Sequence, residues 1–106
     1  MNKAKTLQEL GIDEETYLSL VKEAAGQVVD FFSKADPLVS SQNHEELSKA
    51  AHFIKGSTGT LGMEDIYLIS KDIELMCKEK KDFQTITSKI AELKVALDAF
   101  KKETGF

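Results

Sequence analysis

The apolar residues of this chain recur at alternating intervals of three and four positions in four separate segments. This interval matches the 3.6 residues of an α-helical turn, so each segment places its apolar side chains on one face of a helix. The most regular segment contains Ile86, Ile90, Leu93, Leu97 and Phe100. No strand-like alternation of apolar and polar residues is seen. The pattern predicts an all-α fold, and short loops between four amphipathic helices favour an antiparallel four-helix bundle.

Residues typical of helix ends predict the bounds of the first helix. Asp13 is suited to be an N-cap, and Pro37 disfavours a helical conformation at the residue before it, so this helix is predicted over about residues 13–35. The polar segment "ADPLVSSQN" is predicted to be a loop. The short piece "TLQELGI" before Asp13 is expected to form an extra turn or helix that covers one end of the bundle.

Similar signals predict the other three helices. Asn43 is suited to be the N-cap of the second helix and Gly62 to end it. The third helix is predicted over about residues 63–80, and Asp82 can cap the fourth. The second helix is expected to turn these residues inward: Leu47, Ala51, Ile54, Thr58 and Leu61. The inward residues predicted for the third helix are Ile66, Ile69, Ile73 and Met76.

Length and composition favour one small globular domain. The 106 residues, of which 42% are hydrophobic and 30% charged, predict a single domain over 1–106, with 1–12 as an N-terminal cap segment and 13–106 as the helical bundle. Cys77 is the only cysteine, so neither an intrachain disulfide nor a CxxC metal site is expected. No segment has the apolar length of a signal peptide or a membrane span. A cytoplasmic protein that does not contact a membrane is therefore predicted.

The charge of the chain argues against a nucleic-acid partner. The net charge is −4, and the sequence contains no arginine. The lysines form no basic stripe, since acidic residues interrupt the densest run, "CKEKKDF". Without a basic surface, the electrostatic attraction to phosphate backbones is missing.

The segment "AAHFIKGSTGTLG", residues 50–62, is the unusual part of the second helix. His52 falls away from the apolar stripe, and Lys55 follows it at i+3, so the two are neighbours on the helix surface. Gly56 and Gly59 each cost a helix interior roughly 0.5–1 kcal/mol relative to alanine. They leave bare backbone beside the imidazole, where a bulky partner can approach closely. A nucleophile, a cation and missing side chains together indicate docking of a phosphorylated surface.

Each of these residues also has an ordinary explanation. An exposed histidine or lysine on a helix is most often only solvated, and Gly59 is as well explained by close helix packing as by docking. Ser57 lies nearer the buried edge, where its hydroxyl can bond back to a backbone carbonyl. Chance alone does not explain why a histidine, a lysine and two glycines occur together at this spacing.

The segment "HFIKGSTGTLG" resembles the signature of histidine phosphotransfer (HPt) domains. That signature is broadly His-x-hydrophobic-Lys-Gly-small-small-x-x-hydrophobic-Gly, and every position is filled here, with Thr58 a mild variation. The resemblance implies that Nε2 of His52 accepts a phosphoryl group from a phospho-aspartyl receiver domain or a histidine kinase. The group then passes to an aspartate of a response regulator. Sensor or hybrid histidine kinases and response-regulator receiver domains are therefore the expected partners. A monomer is expected, because the carrier face must be free.

The same resemblance implies roles for the residues around His52. Lys55 is expected to be the local cation and Gly56 to leave room for the phosphoryl group, while Ser57 supports the helix. Mg²⁺ is expected on the partner receiver only, so no cofactor or metal is expected on this chain. The residues expected to dock the partner are Ser48, Lys49, Phe53 and Gly59. For Phe53, packing against the N-terminal piece "TLQELGI" is an equally good expectation.

Two other classes of function compete with this interpretation. An autonomous enzyme is disfavoured, because the chain has no phosphate-binding glycine loop and no convincing nucleophile–base set. A metal site from His44 and His52 fails because the two residues are about 12 Å apart along one helix. The prediction is therefore a phosphocarrier without its own ATP site. The alternative is a non-catalytic helical adaptor that binds receiver domains, although the presence of both His52 and Lys55 argues against it.

Overall fold

The computed structural model describes residues 3–105, and all regular structure among them is helical. The five helices are α1 (Lys3–Leu10), α2 (Glu14–Ser40), α3 (His44–Thr60), α4 (Glu64–Lys78) and α5 (Phe83–Thr104). The predicted all-α fold is confirmed. Met1, Asn2 and Phe106, which belong to the predicted domain and its cap segment, lie outside the described residues. None of the described helices is long and apolar enough to cross a bilayer.

Helices α2 to α5 form the bundle, in which each helix packs on the next and α5 returns to α2. The connections between them are three or four residues long, so consecutive helices run antiparallel. The extra N-terminal helix is confirmed as α1, whose Leu7 and Leu10 pack against the core. At the end of α3, Thr6 lies so close to Gly62 that a methyl group on this glycine would be 2.5 Å from the threonine hydroxyl.

The core is made mainly of the predicted apolar stripes. Every inward residue predicted for the second and fourth helices is buried. At the centre, Tyr17 is fully buried and its hydroxyl donates a hydrogen bond of 2.8 Å to the carbonyl of Leu61. The bond satisfies a polar group that would otherwise be costly to bury. It also ties α2 to the end of α3.

Helix α2 is longer than predicted. It continues through Pro37 to Ser40, so most of the expected loop is helical. Proline removes one backbone hydrogen bond and disfavours helix at the preceding residue. Here Ala35 is buried and Leu38 and Val39 pack against the core. The apolar burial of this last turn outweighs the cost of the proline, which sits only three residues from the helix end.

The predicted helix caps are confirmed by hydrogen bonds. Asp13, Asn43 and Asp82 each accept the backbone N–H of the third residue that follows, at 2.7, 3.0 and 2.9 Å. These bonds from backbone N–H groups hold the pKa values of Asp13 and Asp82 below their usual range. Gly62, with φ +73°, follows α3 in the left-handed conformation that glycine adopts without strain.

Helix α4 is rotated relative to the predicted orientation. Ile66 and Ile73 are buried as predicted, but Ile69 and Met76 are only half-buried. The reason is that α4 makes its most extensive contact with α3, which turns a different edge of α4 inward. The residues on that edge are Ser70, Glu74 and Cys77. A carboxylate is thereby placed against the motif-bearing helix α3.

Candidate functional site

His52 lies in the middle of α3 with its side chain 66% exposed. Its Nδ1 atom is 2.6 Å from Oε2 of Glu74 on α4. Glu74 itself is buried. The imidazole is therefore held by one ring nitrogen against a buried carboxylate, while most of its surface faces solvent.

Two lysines share the same carboxylate. Lys55 donates a hydrogen bond of 2.7 Å to Oε1 of Glu74, and the ammonium of Lys78 lies 3.5 Å from Oε2. Lys55 is only 25% exposed, so the expectation of a simply solvated lysine is wrong. A buried carboxylate needs such partners, because removing it from water without them is costly.

The surroundings of Glu74 keep its carboxylate ionised. Burial raises the pKa of Glu74, but the hydrogen bonds from Lys55 and His52 and the positive charge of Lys55 outweigh this and hold the pKa below the ordinary value of 4.5. At neutral pH this carboxylate can only accept hydrogen bonds.

The ionised carboxylate determines the tautomer of His52. Since Glu74 only accepts, the short contact requires that Nδ1 of His52 carries the proton and donates it. In the neutral imidazole the Nε2 atom then has a free lone pair. An imidazole oriented by a carboxylate in this way is a fixed nucleophile on an exposed helix face.

The two glycines of the motif have different surroundings. A methyl group on Gly56 would meet nothing within 4 Å, so the space beside this residue is open. A methyl group on Gly59 would lie 2.7 Å from Cδ1 of Tyr67 on α4. Gly59 therefore permits close packing of α3 on α4, which was one of its two expected roles. Gly56 is the glycine that provides bare, accessible backbone.

The other residues singled out in the motif lie on both sides of His52. Ser57 is half-buried, and its hydroxyl bonds back to the carbonyl of Ile54 at 3.3 Å, as interpreted from the sequence. Ser48 is buried and offers little surface to a partner, since α3 turns it towards the bundle. Lys49 is exposed and donates a hydrogen bond of 3.2 Å to Glu46.

Phe53 is 56% exposed and borders a groove between α2 and α3. The groove has a volume of about 510 Å³, and it is lined by residues of α2 and α3 with none from α1. The expectation that Phe53 packs against the N-terminal piece is therefore not supported. The groove combines Phe53 with Phe31 and Leu38. Its charged residues are two lysines and two acids, so the wall carries no net charge: Lys34, Lys49, Asp30 and Glu46.

The second histidine has a structural position. His44, at the start of α3, is half-buried, and its Nε2 donates to the carbonyl of Lys81 at 2.7 Å. Its ring also lies 4.2 Å from the ring of Phe83, measured between centroids. These contacts tie α3 to the loop between α4 and α5, so His44 is not the freely solvated residue expected. Within residues 3–105, no group of three His, Cys, Asp or Glu side chains is arranged to hold a metal ion.

Comparison with known proteins places the chain in a family. The Hpt domain family is matched over residues 5–103. The chain belongs to the Hpt domain family. It is also 40% identical over 55 residues to the "Phosphorelay intermediate protein YPD1" of Candida albicans (strain SC5314 / ATCC MYA-2876). That match covers 51% of this chain and 30% of the Candida protein. No solved structure matches the chain.

The family assignment confirms the resemblance found in the motif. The HPt motif around His52 and the match of the family over residues 5–103 therefore point to the same family.

Two residues beside His52 were missed by the sequence reasoning. Glu74 and Lys78 lie on α4, far from the motif in sequence, and the apolar pattern of that helix was assigned without them. One signal was available: Glu74 directly follows Ile73 on the buried stripe, and Lys78 follows it at i+4. An acidic residue at the edge of an apolar stripe points to a buried, paired carboxylate.

Proposed function

We propose that His52 is the residue of this Hpt domain that carries the phosphoryl group, on its Nε2 atom. The observation that supports this most directly is the 2.6 Å hydrogen bond from Nδ1 to Glu74, because it leaves the Nε2 lone pair available. The Candida relative is named a phosphorelay intermediate. We propose the same place for this chain: it accepts the group from a phospho-aspartyl receiver or a histidine kinase and passes it to a response-regulator aspartate.

The transfer step needs no proton to be removed from His52. The Nε2 lone pair attacks the phosphorus of the aspartyl phosphate, a N–P bond forms, and the P–O bond to the aspartate breaks to release its carboxylate. The imidazole keeps its Nδ1 proton and becomes positively charged. Glu74 stabilises this charge through the hydrogen bond that it already accepts. The reverse step returns the phosphoryl group to a second aspartate.

We propose that Lys55 and Lys78 stabilise the phosphoryl group during transfer. Such transition states spread negative charge over the equatorial oxygens, and positioned cations lower their energy. The two lysines contact different oxygens of the Glu74 carboxylate, which also holds His52. Gly56 leaves the space that the phosphoryl group and the partner backbone require, because nothing occupies it.

The partner receiver is proposed to dock over the groove between α2 and α3, with Phe53 as its apolar contact and Lys49 at its rim. Mg²⁺ and the acidic residues that bind it are proposed to belong to the receiver. The chain is proposed to act as a monomeric cytoplasmic phosphocarrier, without a cofactor or an ATP site of its own.

The test uses receiver domains phosphorylated with acetyl phosphate. The protein is mixed with each receiver and its intact mass is measured, with the acid and base stability of the added group. We expect one phosphoryl group that is labile in acid and stable in base, and its complete loss in His52→Gln. His44→Gln is the matched control, because it changes the other histidine and should leave phosphorylation intact.

Two outcomes would contradict the proposal. Phosphorylation that persists in His52→Gln would place the site elsewhere. Tight binding of a receiver by the wild type without any transferred phosphate would favour the adaptor function instead.

A further inference from the structure

An apolar groove lies between α4 and α5 and is unused by the proposed phosphotransfer. Two large apolar side chains border it, Leu68 with 46% and Val95 with 69% of its surface exposed. The groove has a volume of about 580 Å³. The remaining residues that line it are Asp65, Ile69, Ser88, Ala91, Glu92, Ala96 and Ala99. Exposed apolar side chains that lie together in a groove, rimmed by polar residues, are a starting point for an interaction site.

The groove faces away from His52. Glu74, which holds His52, lies on α4 six residues after Leu68 and nine residues after Asp65. At about 100° per residue these separations place Leu68 about 120° and Asp65 about 180° around the helix from Glu74. A partner in this groove therefore leaves the His52 face uncovered.

The shape of the groove fits a helix. On α4, Asp65 and Leu68 line the groove, and Asp72 and Leu75 continue the same face beyond it at intervals of four and three residues, with Leu75 also exposed. This stripe is about 15 Å long, the length of roughly three helical turns. On the facing side of α5, small side chains lie on either side of Val95 along the groove, which lets another backbone approach.

The charges around the groove are mostly negative. Asp65 and Glu92 line it, and Asp72 follows Leu68 by one turn of α4. The lysine beside them, Lys89, is 3.8 Å from Asp72 and 3.0 Å from Glu92, so its charge is already balanced. An apolar groove with an acidic rim is complementary to an apolar stripe flanked by lysine or arginine.

We propose that this groove binds a basic amphipathic helix of a partner protein, with apolar residues at i, i+3 or i+4, and i+7 on the bound face. A second copy of this chain is disfavoured, since a two-fold interface would bring acidic rim against acidic rim. Because the groove and His52 lie on opposite sides of α4, such a helix tethers the domain while a receiver engages His52. The inference does not depend on which residue is phosphorylated.

The test uses a designed probe, an 18-residue helical peptide with leucines on one face and lysines on the others. Its control peptide has glutamate in place of every lysine. Each is titrated into the ¹⁵N-labelled protein, and shifts of the backbone amide signals are mapped. We expect the lysine peptide to shift signals of α4 and α5 around Leu68 and Val95 and to leave those around Phe53 unchanged. The glutamate peptide is expected to bind at least tenfold more weakly.

Variants separate groove binding from general attraction to an acidic protein. Leu68→Ser with Val95→Ser removes apolar surface without changing charge and should weaken binding about tenfold or more, as loss of central interface contacts does. Phe53→Ser is the matched control on the opposite face and should bind normally. Asp65→Asn should weaken binding several-fold and reduce its dependence on salt.

Three outcomes would overturn the inference. The first is that the lysine peptide shifts only signals outside α4 and α5. The second is that the double serine variant, with unchanged circular dichroism, binds the lysine peptide as tightly as the wild type does. The third is self-association in analytical ultracentrifugation that Val95→Ser abolishes, which would assign the groove to a second copy.

Discussion

Gly56 and Gly59 lie three residues apart on α3, and alanine is expected to have opposite effects at these two positions. At both, alanine removes the conformational cost of glycine in a helix interior, which favours the variant by about 0.5–1 kcal/mol. The new methyl group on Gly56 would point into open space, so the full gain is expected. At Gly59 the same methyl group would lie 2.7 Å from Cδ1 and 3.0 Å from Cε1 of Tyr67.

The contact between the new methyl group at Gly59 and Tyr67 determines how far the two alanine variants differ in their free energy of unfolding. Ordinary contacts between carbon atoms are about 3.5–4.0 Å, so the Tyr67 ring has to move by roughly 1 Å. Overpacking of this kind costs about 1–3 kcal/mol. Tyr67 is half-buried and can move outward, which favours the lower part of this range. The net expectation is a loss of up to about 1.5 kcal/mol for Gly59→Ala and a gain of about 0.5–1 kcal/mol for Gly56→Ala.

Urea denaturation and thermal melting measure both effects. One kcal/mol corresponds to about 4–8 °C in Tm for a domain of this size, so the two variants should melt on opposite sides of the wild type. Combining Gly59→Ala with Tyr67→Ala should cancel the penalty of the clash, which a double-mutant cycle reports as coupling. Stabilisation by both alanines, or no coupling to Tyr67, would refute the assignment of Gly59 to helix packing. Phosphotransfer should fall in Gly56→Ala despite its higher stability, because the methyl group obstructs the partner.

Three further predictions concern α4. Glu74→Gln should lower the free energy of unfolding by about 1–3 kcal/mol, because the half-buried Lys55 loses its counter-charge. Adding Lys55→Met should recover most of this loss in urea denaturation. Losses that are purely additive in the double variant would disprove the pairing. Since the pKa of Glu74 lies below 4.5, its carboxylate contributes stability above pH 4.5 that is lost as the pH falls through the lowered pKa. The stability difference between wild type and Glu74→Gln should therefore shrink in acid, and a difference independent of pH would contradict this. Burial raises the pKa of the Cys77 thiol to about 11, so about one thiol in a thousand is ionised at pH 8. Iodoacetamide should therefore label Cys77 only in the unfolded protein. Rapid labelling of the native protein, detected by mass, would show instead that the thiol is accessible.

The repeating apolar spacing was sufficient to predict the helices and most of the core. Burial of one face is the main source of helix stability in a small domain, and the residues that achieve it are visible in sequence. The N-caps were also predictable, since an Asp or Asn side chain bonds to a backbone N–H only three residues away. The end of α2 was predicted wrongly from Pro37, because here distant contacts decide the structure. The local preference of the proline was overridden by the packing of Leu38 and Val39 against other helices, which no local rule contains.

At the site, the sequence by itself determined that His52, Lys55 and Gly56 are neighbours on one helix, because helical geometry converts their spacing directly into proximity. It did not determine what holds the imidazole. Glu74 is 22 residues away from His52 in sequence, and only the rotation of α4 against α3 brings its carboxylate within 2.6 Å of Nδ1. The same contact between helices decides that Gly59 packs against Tyr67 while Gly56 stays open. Helical periodicity is a property of one segment, whereas the rotation of one helix against another depends on the shapes of both surfaces.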